Sequence, residues 1–120
     1  MLNQISLTGR LTRDPELRST AAGVPLARFS LAVERNRAGA GKTRKTDFIR
    51  CAAWRSTGEF VAKYFRKGDM IALTGSLQVN EWKDQDGNRR SSAEVAAESV
   101  SFCGRKTPIV VSDPEELFPV

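Results

Sequence analysis

The chain reads as an all-β domain: a five-stranded barrel with one short helix between strands 3 and 4, followed by a short C-terminal tail. Three observations predict this. Apolar and polar residues alternate over most of the first hundred positions, with the period of two that a half-buried strand requires. One segment, near 57–66, shows helical spacing instead. A length of 120 residues leaves room for one domain with a modest core and little more.

The first strand begins near Ile5, where Ile5 and Leu7 alternate with Gln4, Ser6 and Thr8. Arg13-Asp14-Pro15-Glu16 ends it in a turn, because Pro15 fixes its own φ and has no N–H to give a ladder. Gly23 and Pro25 bound the second strand, which points Phe29, Leu31 and Val33 inward and Arg28, Ser30 and Ala32 outward. Residues 36–46 form a Gly-rich basic loop, and the third strand runs from about Asp47 to Arg55. The helix covers about Thr57 to Arg66: Phe60, Val61, Tyr64 and Phe65 repeat at its spacing, cations gather in the last turn, and Gly68 stops it. The fourth strand covers about Asp69 to Trp82, with Ile71, Leu73, Leu77 and Val79 on the core face. Asp84-Gln85-Asp86-Gly87-Asn88 is a hairpin turn, since Asp-Gly tolerates the positive φ it needs. The fifth strand runs from about Ser92 to Phe102, and a slip of its apolar phase between Ala97 and Val100 predicts a bulge. This order is that of an oligonucleotide-binding (OB-fold) barrel; a small split sheet-and-helix domain gives a similar string.

Composition excludes much. The chain has no His, which removes His-based triads, general bases and metal ligands. Two cysteines, Cys51 and Cys103, cannot build a four-thiolate zinc site, and as lone thiols they fit a reducing cytosol. No apolar run approaches a membrane span and the start is unlike a signal peptide, so a soluble cytoplasmic protein is expected. The net charge of +5 is divided: residues 1–106 carry all 19 basic residues and a net +8, whereas 107–120 carry only acids and a net −3. The expected division is a binding domain over 1–105 and an acidic tail over 106–120. A basic body points to a polyanion as partner.

The third strand shows where that partner would lie. Phe48, Arg50, Ala52 and Trp54 share one side, while Ile49, Cys51 and Ala53 share the other. The fourth strand likewise sets Gln78, Asn80 and Trp82 opposite Leu77 and Val79. Two rings on one strand with a cation between them, and a third ring nearby, suit nucleobases, because every base offers a π-face. Arg10, Arg28, Arg35, Arg37, Lys42, Arg44, Arg50, Arg55, Lys83 and Arg89 lie on the same polar faces or in adjoining loops, as phosphate partners. Phe29, Phe60, Phe65 and Phe102 fall on core phases. Ala38-Gly39-Ala40-Gly41-Lys42-Thr43 imitates a phosphate-binding loop, but the required leading Gly is Asn36 and a strand, not a helix, follows.

Several separate motifs resemble the bacterial-type single-stranded DNA-binding protein (SSB) family over about residues 1–103. They are Leu2-Asn3-Gln4-Ile5-Ser6-Leu7-Thr8-Gly9-Arg10-Leu11, Arg13-Asp14-Pro15-Glu16-Leu17-Arg18, Phe29-Ser30-Leu31-Ala32-Val33, Thr46-Asp47-Phe48-Ile49, Trp54-Arg55, Tyr64-Phe65-Arg66-Lys67-Gly68, Gly75-Ser76-Leu77-Gln78 and Trp82-Lys83-Asp84-Gln85-Asp86-Gly87. The resemblance implies an OB-fold homotetramer around which single-stranded DNA wraps, coated and protected during replication, recombination and repair without strong sequence preference. It implies base stacking on Phe48, Trp54 and Trp82, a phosphate contact at Arg50, no cofactor and no metal. The chain departs from the pattern at Arg35-Asn36-Arg37, where an aromatic sometimes stands, and at Glu81, where some members carry a cation. The end, Asp113-Pro114-Glu115-Glu116-Leu117-Phe118-Pro119-Val120, is similar to the family's acidic tail with its apolar-Pro-apolar tip, which docks replication and repair proteins.

Two other readings share some of these features. A primosomal replication-restart accessory protein has the same barrel, but is usually dimeric and lacks an acidic tail. A nuclease needs clustered carboxylates for metal ions; the closest pair, Asp84 and Asp86, is explained by the turn.

Overall fold

A computed structural model of the chain describes residues 1–36 and 44–103. Six strands and one helix follow in the order β1 (Ile5–Leu11), β2 (Glu16–Ser19), β3 (Pro25–Glu34), β4 (Thr46–Trp54), α1 (Arg55–Tyr64), β5 (Met70–Lys83) and β6 (Arg89–Phe102). The sheet order is β1-β5-β6-β4-β3-β2, and a further β1–β3 pairing at Arg10↔Ala32 and Leu11↔Leu31 closes five of the strands into a ring. All pairs are antiparallel except β4–β6, which run parallel at Cys51↔Val95, Ala52↔Ala96 and Ala53↔Ala97. This is an OB-fold barrel, with the helix between its third and fourth ring strands.

Inward phases fill the ring. Leu11, Phe29, Leu31, Cys51, Ala53, Ile71, Leu73, Val95 and Ala97 are buried, and one end is closed by Val61 of α1 and by Phe65, which follows it. Phe65 is 0% exposed, and burying a side chain of its size contributes about 2–3 kcal/mol. The helix begins two residues earlier than expected because Arg55 itself makes the corner, at φ 58°. It ends at Tyr64; Arg66 then folds its Nη1 back onto the carbonyls of Ala62 and Phe65, at 2.6 and 2.7 Å, where cations suit the helix dipole.

Four features differ from the sequence reading. The segment after Pro15 is not only a turn: Glu16–Ser19 adds a sixth strand beside β3, fully exposed and with no alternation to reveal it. Leu77 and Val79 keep the inward phase of Ile71 and Leu73 but are exposed, because β5 and β6 outrun the ring as a two-stranded arm with no core beneath it. Phe60 and Phe102 are exposed as well: Phe102 stacks on the buried Phe65 at 4.6 Å and, with Phe60 and Tyr64, forms an aromatic cluster at the surface. The third strand gives up Arg55 to the helix. The expected bulge is present. Thr74 pairs with Ser99 and Gly75 with Ala97, leaving Glu98 as the extra residue.

Candidate nucleic-acid interface

β4 is central to the outer face. Its alternation leaves Phe48 71% and Trp54 43% exposed, with the exposed Arg50 between them and Cys51 buried on the other side. Antiparallel register brings β3 alongside: Phe48 stands opposite Ala32, Arg50 opposite Ser30, Ala52 opposite Arg28, and Trp54 opposite Leu26. Small residues opposite Phe48 and Arg50 leave those side chains uncovered. The Phe48 row continues to β1, because Ala32 also pairs with Arg10. Arg10 is held there by an Nη1–H donated to the Gly68 carbonyl at 3.0 Å.

Trp82, 50% exposed, sits on the arm. Its cross-strand neighbour is Arg90, and Lys83 pairs with Arg89. Paired residues in an antiparallel ladder point to the same side, so Trp82 and Arg90 share one face while Lys83 and Arg89 occupy the other. Arg90 is thus the cation beside the ring, and it was missed in sequence. The signal was available: closing the turn at Asp84 N–H to the Asn88 carbonyl, 3.0 Å, and counting outward gives Lys83↔Arg89 and Trp82↔Arg90.

The remaining cations are placed unevenly. Arg35 makes a bidentate pair with Asp47 at 3.0 and 3.2 Å, so it ties the residue after β3 to the start of β4 rather than standing free. The Arg35 guanidinium holds the Asp47 carboxyl below its ordinary range, chiefly through that hydrogen bond, and Asp47 in turn raises Arg35. Arg55 is exposed at the corner directly after Trp54. Arg37 and Lys42 lie outside the described residues, as do the tail residues Asp113, Glu115, Glu116, Leu117, Phe118, Pro119 and Val120 and the Gly-Lys-Thr imitation at 41–43. Glu16 and Glu94, which the third strand alone could not show, also reach the outer face, Glu16 opposite Arg28 and Glu94 opposite Gln78.

The closed ring, the exposed rings and the intervening cations form a surface suited to stacking unpaired bases over a neutralised backbone. A sequence profile of the Single-strand binding protein family matches residues 2–103. The chain belongs to the single-strand binding protein family. It is 46% identical over 102 residues to Single-stranded DNA-binding protein 2 of Listeria monocytogenes, covering 85% of this chain and 64% of that one. Against the Single-stranded DNA-binding protein of Bacillus cereus it is 47% identical over 102 residues, 85% of this chain and 60% of the relative. The Caldanaerobacter subterraneus protein of the same name is 44% identical over 107 residues, 89% and 71% of the two chains. The first two relatives are therefore matched over less than two thirds of their length.

In this member of the family the buried positions form the core of the barrel, Cys51 among them. Burial pushes the Cys51 thiol up to about 12, with the Glu94 carboxylate adding to the effect, so it stays protonated. No helix among the described residues is long and apolar enough to cross a membrane.

Proposed function

We propose that the chain binds single-stranded DNA with little sequence preference and protects it during replication, recombination and repair, without a catalytic step or cofactor. The observation that carries this is the row of exposed Phe48, Arg50 and Trp54 on one barrel strand, with Trp82 and Arg90 on the adjoining arm. Phe48, Trp54 and Trp82 stack bases. Arg10, Arg28, Arg50, Arg55 and Arg90 neutralise phosphates, joined by Lys83 on the far face of the arm and by Arg37, whereas Arg35 is held by Asp47. Titration with oligo-dT should quench the fluorescence of Trp54 and Trp82. The affinity should fall with salt at a log–log slope of about 0.7 times the number of phosphates contacted. A protein neither quenched nor salt-sensitive would refute the reading.

The working unit is a homotetramer in the cytoplasm, associated with the nucleoid. Two features support assembly. β1 meets β3 only at Arg10 and Leu11, so Ile5–Gly9 keep an open edge on that side among the described residues. Leu77 and Val79 expose an apolar strip on the arm. Sedimentation mass tests this, a dimer counting against it. The acidic tail, through Asp113, Glu115, Glu116 and the Leu117-Phe118-Pro119-Val120 tip, docks replication and repair proteins; deleting 113–120 should abolish their capture while leaving dT affinity intact.

A further inference from the structure

Strand β2 carries side chains that the stacking rings do not account for. Its register with β3 extends two rows of the outer face, Trp54–Leu26–Arg18 and Ala52–Arg28–Glu16. Glu16, Arg18, Leu26 and Arg28, with Ser19 and Thr20 at the end, line a cleft of about 400 Å³. The floor is the half-buried Leu26, the direct neighbour of Trp54. Adjacent strands lie about 4.8 Å apart, so the cleft opens one strand spacing beyond the stacking ring and Arg18 lies two spacings away.

The two guanidiniums differ. Arg18 is paired with Glu16, whereas Arg28 has no ion-pair partner among the described residues. An apolar floor with one unpaired cation offers van der Waals contact to a base and charge to a phosphate, in the Trp54 and Ala52 rows of the same face. A phosphate reaching Arg28 also approaches the Glu16 carboxylate, which repels it and keeps Arg18 occupied.

We propose that this cleft is a subsite for one more nucleotide of the bound strand, the neighbour of the base stacked on Trp54. Its base lies on Leu26, its phosphate on Arg28, and Glu16 restrains Arg18 from making a second phosphate contact. The proposal rests on the single-strand reading above, and the test separates the two. Full-length wild type, Arg28→Gln and Glu16→Gln are titrated with oligo-dT over a range of salt. Photocrosslinking with 4-thiothymine-substituted dT then locates the strand. Arg28→Gln should lower the salt slope by about 0.7, one phosphate contact. Glu16→Gln should raise it by about the same amount and tighten binding severalfold, since it frees Arg18; a misfolded variant cannot gain affinity. Crosslinks should appear in the tryptic segment 19–28. If dT quenches the wild type but both variants keep its slope and 19–28 carries no crosslink, the subsite is overturned and the stacking face stands. If dT does not quench the wild type, the single-strand reading falls and the subsite with it.

Discussion

Arg90 donates its Nε–H to the Oδ2 of Asp84 at 2.9 Å. That bond ties the hairpin turn to the residue facing Trp82 across the ladder, and it leaves both terminal nitrogens of the guanidinium available to a phosphate. Asp84 Oδ1 accepts the backbone N–H groups of Asp86 and Asn88, at 3.0 and 2.9 Å. One carboxylate therefore organises the turn and aims the cation.

Asp84→Asn should loosen both. The expected result is a faster-tumbling Trp82, read by fluorescence anisotropy decay, and a severalfold weaker dT affinity, with melting at neutral pH lowered by the stability that the Asp84 charge contributes. An unchanged Trp82 decay would count against the role given to Asp84.

Acid should act on the same groups. Asp84 lies below the ordinary 3.8, chiefly through the Asn88 backbone N–H and then Arg90, and Asp47 lies below it through Arg35. A carboxylate depressed in the folded state contributes stability above its unfolded value and loses it as pH falls through the folded one. The melting temperature should thus decline below about pH 4, and the double variant Asp47→Asn, Asp84→Asn should show a shallower decline, measured by thermal melts from pH 6 to 2.

The two thiols should differ sharply. Cys51 is buried with its thiol held up at about 12, while Cys103 is exposed. At pH 8 a chromogenic disulfide reagent should titrate one thiol in the native protein and two in denaturant. Two fast thiols in the native state would contradict the packing of Cys51.

Gly75 marks the point where β5 and β6 change register. A Cβ there would stand 1.9 Å from the Ala96 carbonyl oxygen, so Gly75→Ala forces the backbones apart at the bulge. A loss of about 3 kcal/mol is expected from denaturant unfolding, far more than a surface Ala substitution would cause.

Arg55 sits at φ 58°, the only positive φ outside glycine among the described residues. Holding a side chain there costs about 1 kcal/mol. Arg55→Gly should therefore stabilise the fold by roughly that amount while lowering the salt slope of dT binding by about 0.7, so that stability and affinity move in opposite directions.

The barrel was legible because its strands are half-buried: Phe29, Leu31, Ile71 and Leu73 alternate with polar neighbours, and a period of two survives in the sequence whatever the topology. So was the row Phe48–Arg50–Trp54, since one strand's alternation fixes its own two faces. β2 was not legible, because all four of its residues are exposed and no periodicity marks them. Phe60 and Phe102 misled for a different reason. Their phases point toward the barrel, but each lies at an end where the core stops.

Alternation and turn chemistry, being local, let the sequence by itself determine the strand-rich character of the fold, the bulge beside Glu98 and the outward direction of Phe48 and Trp54. Only the tertiary structure decided which cations accompany those rings. Cross-strand register set Arg90 rather than Lys83 beside Trp82, brought Arg10 into the row of Phe48, and placed Glu16 next to Arg28. It also left Leu77 and Val79 without a core. Each outcome depends on how strands are aligned and where the ring ends, and these are properties of paired segments that no single segment encodes.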